Sequence, residues 1–501
     1  MIIHYMSGSM PEYWSSRSFF ILASIGAAIG IGNIWRFPYL VYSNGGGAFL
    51  IPYFIALVTA GIPLLLLEFS LGFSTRRGAP GAFTATAGNR YAFAGWLAMI
   101  VGFATMCYYA IIVAWSADFT FFSLTQAYAD HAETFFFNNF LNIPKTIGGI
   151  SGINLAVVAG LALTWIWVFI SIFRGVRSVE KMIRITVILP WILIVVFVIQ
   201  GLMLPGAMDG IYYYLNPDFS RLTDPNIWIE AYGQIFFTLS IGWSCMIAYA
   251  KFLPEDLEFG KSAIIIALSN SVTSLIAGLA VFPTLGYLAL QTGVPVSDVA
   301  KGGIELAFVS YPTSISLLPF GSVIFGVLFF LLLMTLGVDS IFATIEGVAT
   351  GIRDYFNVRK IVIVSMLCIA GFCIGLLFTT SSGYYYLDIA DYYISSFALV
   401  LVGLLEAAVI GYIYGPELMR RFINLHSDVV IGKWWNVCIK IIIPAALGII
   451  IVTTLWERIN SAYGRYPAWA NAAGWLLVLL IIITGAVLTI GLSGKLKKTE
   501  D

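Results

Sequence analysis

The sequence predicts an all-α polytopic membrane protein of twelve transmembrane helices, with two five-helix inverted repeats and broken helices 1 and 6. Three observations predict it. Of 501 residues, 60% are hydrophobic and only 10% are charged, at a mean hydropathy of +0.92. Apolar runs of about twenty residues, the length that crosses a bilayer, recur from end to end. Two of these runs, the first and the sixth, carry glycines and polar residues at their midpoints, which is where two inverted five-helix repeats would place their breaks. The two interrupted runs share little sequence, so the repeat rests on their placement.

The spans fall at about 18–43, 48–75, 93–124, 153–172, 182–204, 228–252, 262–290, 320–352, 360–380, 385–413, 436–456 and 468–492, judged by the apolar length a bilayer requires. Residues 1–17 precede the first repeat (18–204), the second repeat occupies 228–413, helices 11 and 12 occupy 436–492, and a tail follows at 493–501. The longest connections are 125–152, 205–227 and 291–319. The last of them, with Lys301-Gly-Gly-Ile-Glu305 and Tyr311-Pro312, reads as a re-entrant external hairpin. Of 26 Lys and Arg residues, 19 fall on the face that holds the N-terminus and 5 on the other, with Arg36 and Lys440 inside spans. The excess of positive charge on the inner face puts both termini in the cytoplasm, with the chain in a plasma or inner membrane. The first apolar run carries glycines and Arg36 and leads into a longer pattern, so no cleavable signal peptide is expected.

Several function classes are disfavoured. Net charge is zero and no basic tract suggests nucleic acid. Cys107, Cys245, Cys368, Cys373 and Cys438 all lie in apolar segments, with no extracellular pair and no CxxC spacing, and read as buried small hydrophobes. His4, His131 and His426 are too dispersed for a catalytic or metal cluster. HExxH and GxSxG motifs are missing, and Gly260-Lys261-Ser262 lacks the upstream Gly of a P-loop because position 255 is Glu. The chain therefore reads as no enzyme, with no catalytic residue and no cofactor, and uphill transport would run on an ion gradient. An ion channel would need a continuous polar pore, whereas the polar residues here cluster at mid-depth around two breaks.

The first break is Gly26-Ala27-Ala28-Ile29-Gly30-Ile31-Gly32-Asn33, followed by Arg36 and Pro38. Each interior Gly costs a helix about 1 kcal/mol relative to Ala, and backbone freed in hydrocarbon must find other partners. Free carbonyls can hold a cation, and the N-terminus of the next half-helix can hold an anion. Close helix packing through Gly26-xxx-Gly30 is the alternative, and this segment alone leaves both open. In the sixth run the corresponding stretch is Gln234 to Trp243, with Thr238, Ser240 and Gly242 at its middle.

Other buried polar residues divide by role. An ionisable group at membrane depth is a functional candidate. Glu68 reads equally as a cap on nearby backbone or as part of transport chemistry. Asp339, followed by Ser340, needs a cation or donor beside it and reads as an ion ligand. Asn270 and Ser274 share a helix face. Glu406 reads as an interhelical hydrogen-bonding group, Tyr384, Tyr385 and Tyr386 as an interface belt, and Tyr108-Tyr109 is open.

Six segments carry a family resemblance: Gly30-Ile-Gly-Asn-Ile-Trp-Arg-Phe-Pro38, Asn44-Gly-Gly-Gly-Ala-Phe49, Gly61-Ile-Pro63 with Glu68, Arg174-Gly175, Gly233-Gln-Ile-Phe-Phe-Thr-Leu-Ser240 and Gly337-Val-Asp-Ser340. Over roughly residues 12–460 the chain resembles the neurotransmitter:sodium symporter family, whose bacterial members include the leucine transporter. The resemblance implies two sodium sites. The first takes the Ala28 carbonyl, Asn33, Thr238 and Asn270 with the substrate carboxylate. The second takes the Gly26, Ile29 and Leu336 carbonyls with Asp339 and Ser340. Substrate would meet Ala28, Gly30, Gly32, Thr105, Tyr109, Phe237, Thr238, Ser240, Trp243, Ser340, Ala343 and Thr344, with Tyr109 on its carboxylate and Phe237 as a lid. Tyr53, Gln234, Thr238, Asn270 and Ser274 match the residues that hold chloride in chloride-dependent relatives. Arg36 and Asp391 match the outer gate and Asp354 the acid of the inner one. The usual Arg partner of that acid is replaced by Pro11, and Arg17 is no obvious substitute.

The function implied is sodium-coupled, chloride-dependent symport of a neutral amino acid by alternating access, with substrate and membrane lipid as partners and no nucleic acid. Gly30 stands where monoamine-carrying relatives have an Asp, so the substrate is expected to bring its own carboxylate. Trp243 fills volume, which favours glycine or alanine. A larger hydrophobic or aromatic amino acid, and a proton-coupled transporter of the same fold, are the alternatives.

Overall fold

The computed structural model describes residues 12–129, 131–148 and 152–496. The readings that touch His4, Pro11, Lys497 and Lys498 lie outside them. The described chain is overwhelmingly helical, and its one recorded β pairing is an isolated bridge between Ile153 and Thr380.

Two short helices open it, α1 (Arg17–Ala28) and α2 (Gly32–Ser43), bent by 58° at the break between them. Ser16 caps α1 by accepting a hydrogen bond from the Phe19 amide, which satisfies one of the free N–H groups of the first turn. Then come α3 (Gly46–Thr75), α4 (Asn89–Thr125), α5 (Leu155–Ile172) and α6 (Val176–Leu202). The sixth run forms two pieces, α7 (Pro225–Thr238) and α8 (Cys245–Lys251). The remainder is α9 (Gly260–Thr292), α10 (Ser322–Arg353), α11 (Lys360–Thr379), α12 (Gly383–Tyr414), α13 (Trp434–Asn460) and α14 (Ala468–Gly491).

Ten of these helices are long and apolar enough to cross a membrane, and the bent α1–α2 pair makes up to eleven. The expected twelfth, at 228–252, is split by residues 239–244 into pieces too short to pass that test. The cause is local. Ser240 (φ 52°), Gly242 (φ 79°) and Ser244 (φ 63°) all adopt the left-handed region, which no α-helix continues through. The predicted fifth span starts six residues early, at Val176, because a charged amphipathic turn with Arg177, Lys181 and Arg184 joins the apolar run.

Burial ranks the helices. In their most apolar windows 83% of α4 and 72% of α10 is buried, against 28% of α13 and of α14. The first two therefore form the centre and the last two the rim, where Ile449, Val452, Leu479 and Val487 face outward. Glycines let the central pair approach closely. A Cβ on Gly102 would sit 2.8 Å from the Thr344 methyl, and one on Gly337 would sit 2.4 Å from Val113. Segment 296–316 forms short helices that lie on α2, where the Tyr42 hydroxyl donates to the Ala300 carbonyl at 2.6 Å.

Candidate functional site

Both broken helices meet α4 and α10 at one level. At the end of α1, Ile29 has left the helical region (φ −84°, ψ 100°), so its carbonyl points away from the helix ladder. The Asn33 side chain folds back to accept the Gly30 amide at 2.9 Å, and the Tyr109 hydroxyl of α4 accepts the Ile31 amide at 3.1 Å. The Ala27 carbonyl accepts two hydroxyls, Ser240 from the second break at 2.7 Å and Ser340 from α10 at 3.3 Å. A Cβ on Gly30 would stand 3.2 Å from both the Ser340 and Tyr109 hydroxyl oxygens. A side chain here would press on both hydroxyls, and glycine leaves the unwound backbone room to approach them.

The second break is held from α3. Glu68, fully buried, accepts the Gly242 amide at 2.6 Å, the capping role that was one of its two readings. Glu406 of α12 is buried against it.

Asp339 of α10 lies beside the last turn of α1. Asp339 is 2% exposed, and its Oδ1 has no hydrogen-bond partner among the described residues. A Cβ on Gly26 would lie 3.0 Å from its Oδ2, so the α1 backbone abuts the carboxylate. Among the described residues no group of three or more His, Cys, Asp or Glu side chains could hold a metal. A cation here would therefore rely on carbonyls and one acid, a donor set suited to a hard ion such as sodium.

The other polar cluster joins α2, α3, α7 and α9. The Asn33 amide donates to the Asn270 side-chain oxygen at 2.9 Å and to the Ser274 hydroxyl at 2.7 Å, and Thr238 and Asn270 bond each other at 3.2–3.3 Å. Tyr53 was expected with this group. Its hydroxyl donates at 3.1 Å to Ser271, a residue sequence reasoning passed over although it stands beside Asn270. Gln234 is fully buried, and both its amide atoms are without a partner among the described residues.

Above Phe237 lies a cavity of about 520 Å³ whose lining includes Gly32, Arg36, Tyr109, Phe237, Asp391, Gly302–Glu305 and Tyr384. Arg36 and Asp391 face it without an ion pair between them. The Arg36 guanidinium carbon stands 5.1 Å from the Phe237 ring centre, and Asp391 accepts the Tyr108 hydroxyl at 2.9 Å. This hydroxyl gives Tyr108 a role the sequence left open. Below Phe237, which meets Trp243 edge to face at 5.5 Å, Thr105, Ser240, Trp243, Ala343 and Thr344 are all buried. Asp354 lies at the other end of the bundle, where it receives Lys251 at 3.0 Å and the Gly78 amide at 2.6 Å.

Comparison with known proteins places the chain in a family. The profile of the sodium:neurotransmitter symporter family matches residues 11–131 and 126–493. The chain is 37% identical over 486 residues to an uncharacterized sodium-dependent transporter of Methanocaldococcus jannaschii, covering 96% of this chain and 98% of that one. It is 32% identical to the sodium- and chloride-dependent creatine transporter 1 of Bos taurus, covering 93% and 81% of the two chains. It is 31% identical to the sodium- and chloride-dependent GABA transporter 2 of Rattus norvegicus, covering 93% and 84%. Profile and relatives run across both breaks and all the clusters above, and the chain belongs to the sodium:neurotransmitter symporter family, a family of membrane transporters and not of enzymes.

Proposed function

We propose that the protein is a sodium-coupled, chloride-dependent symporter of a neutral amino acid, with glycine or alanine favoured, working by alternating access. The observation that carries this reading is the convergence at the Ala27 carbonyl. Hydroxyls from the second break and from α10 both reach the end of α1 there, so one small ligand could touch every moving element. In this reading the twelve-span topology holds, with 18–204 and 228–413 as inverted repeats, 436–492 as two further helices, and residues 1–17 and 493–501 in the cytoplasm. The two broken helices form the site between the repeats. Two sodium ions are cargo, one at Ala28, Asn33, Thr238 and Asn270 and one at Gly26, Ile29, Leu336, Asp339 and Ser340. The amino acid sits between Tyr109 and Phe237, and the cavity above is its entry from outside, with Arg36 and Asp391 apart.

The relatives' names support a carboxylate-bearing substrate, since creatine and GABA both have one, and Gly30 offers no acid to hold an isolated amine. A decarboxylated analogue is therefore expected to compete at least about a hundredfold less well than its parent amino acid, having lost a charged, ion-paired contact. Equal competition would overturn the reading. Trp243, 3% exposed and packed on Phe237, sets the size limit. Trp243→Ala is expected to admit valine- and leucine-sized substrates, measured by competition against labelled alanine. An unchanged substrate range would remove Trp243 as the filter.

A further inference from the structure

We infer that Lys251 supplies the cation that closes the inner side of this chain, pairing with Asp354 where relatives use an arginine from the N-terminal segment. The inference rests on the alternating-access reading above. Two facts meet here. The position expected to carry that arginine is Pro11, and Asp354 nevertheless has a cation. Both its oxygens are engaged, Oδ1 by the Lys251 ammonium at 3.0 Å and Oδ2 by the Gly78 amide at 2.6 Å. The Asp354 side chain is 8% exposed and that of Lys251 21%, so the pair is shielded enough for its charge to count.

Lys251 is the last residue of α8, the inner piece of the second broken helix, and its turn is a junction. The Trp14 indole donates to the Tyr249 carbonyl at 2.9 Å and the Trp14 amide to the Phe252 carbonyl at 2.9 Å. The Arg76 guanidinium, just beyond α3, donates to the carbonyls of Lys251 and Leu253. Backbone oxygens of this one turn therefore hold the segment before α1 and the end of α3, while its lysine side chain holds the end of α10. A Cβ on Gly81 would lie 2.7 Å from Asp354, so the helix after α3 closes over the same carboxylate.

The segment before α1 is held by charge of the opposite sign. It carries Glu12, whose carboxylate receives Lys360 at 3.2 Å and the Val176 amide at 2.5 Å and lies 3.7 Å from Arg353. Lys360 also meets buried Glu346 at 2.5 Å. The strap before α1 thus docks through an acid on basic groups, and the cation facing Asp354 comes from α8. The consequence is mechanical. Opening the inner side must pull α8 from α10, and α8 is continuous with the break that carries Ser240 and Trp243. The closing pair is therefore joined directly to the substrate-contacting backbone.

Hydrogen–deuterium exchange on the full chain in detergent with sodium tests this without any transport assay. Lys251→Ala, which keeps the backbone carbonyls, is expected to raise exchange about tenfold in peptides covering 12–28 and 245–253, a coupling of ordinary size for a shielded charge pair. Peptides covering 301–310 and 384–392, at the opposite end, should stay as they were. Lys251→Arg should exchange like the unmodified chain, and the charge-swapped double variant Lys251→Asp with Asp354→Lys should recover most of the protection that either single change loses. Lys251→Ala exchange within twofold of the unmodified chain would overturn the inference. So would a uniform rise along the chain with no recovery in the double variant. A failure of the unmodified protein to transport amino acids would refute the symporter reading and leave this coupling intact, so the two are distinguishable.

Discussion

Asp339→Asn raises the sodium concentration for half-maximal uptake at least about tenfold. The carboxylate is buried to 2% exposure and has an oxygen without a partner among the described residues. An isolated buried charge is expensive, by several kcal/mol even after the protein relaxes. At 4 Å and an effective dielectric near 20, a monovalent cation would return about 4 kcal/mol. Asparagine keeps the shape and removes the charge, so a tenfold loss, about 1.4 kcal/mol, is a modest fraction of that attraction. The Gly26 backbone against the carboxylate leaves the isostere in place, so folding should survive. Unchanged sodium dependence with lowered expression would make Asp339 a structural residue.

Replacing chloride with gluconate lowers uptake at least about fivefold, and Ser274→Glu restores it in gluconate. Two sodium ions and a zwitterion leave excess positive charge in a low-dielectric site. Asp339 offsets one unit of it, and something anionic should offset the other. The competing reading is that the donors satisfy one another, and part of the cluster does: Asn33, Asn270, Ser274 and Thr238 form a closed web. Gln234 is outside that web, with a buried amide that bonds nothing among the described residues. A buried amide left unpaired costs about 1–3 kcal/mol, which an anion accepting its N–H would relieve. A glutamate at 274 would carry the same charge covalently. Full activity of the unmodified protein in gluconate would sink this account.

Much of this architecture was legible in residues whose chemistry conflicts with their surroundings. Glycines inside an apolar run marked the α1–α2 break, and Glu68, a carboxylate in an apolar span, stood out as a candidate cap whose partner, Gly242, only the structure shows. Asp339 stood out for the same reason. The resemblance supplied the pairing of these residues, which spacing alone left open. The rest was hidden by features that raise no such conflict. Ser240 and Ser244 carry positive φ, a strain that serine does not announce, so the sequence marked the second break without showing that residues 239–244 leave two separate short helices. The charged turn at Val176–Thr186 resembled a loop, because membrane-span reading penalises charge that the helix in fact keeps on one face. Lys251 was counted as one more inner-face cation. Its meaning depends on Asp354, 103 positions away, and no local pattern joins the two. Arg36 and Asp391 were read as the two sides of the outer gate, and in this conformation each turns to an aromatic neighbour, Phe237 and Tyr108.

Uptake of labelled glycine and alanine into proteoliposomes under an imposed sodium gradient tests the central claim most directly. The account predicts accumulation above the outside concentration with sodium outside, and its collapse when sodium is replaced by potassium or the gradient is dissipated by a sodium ionophore. Accumulation that persists without sodium, or that follows an imposed proton gradient alone, would contradict it.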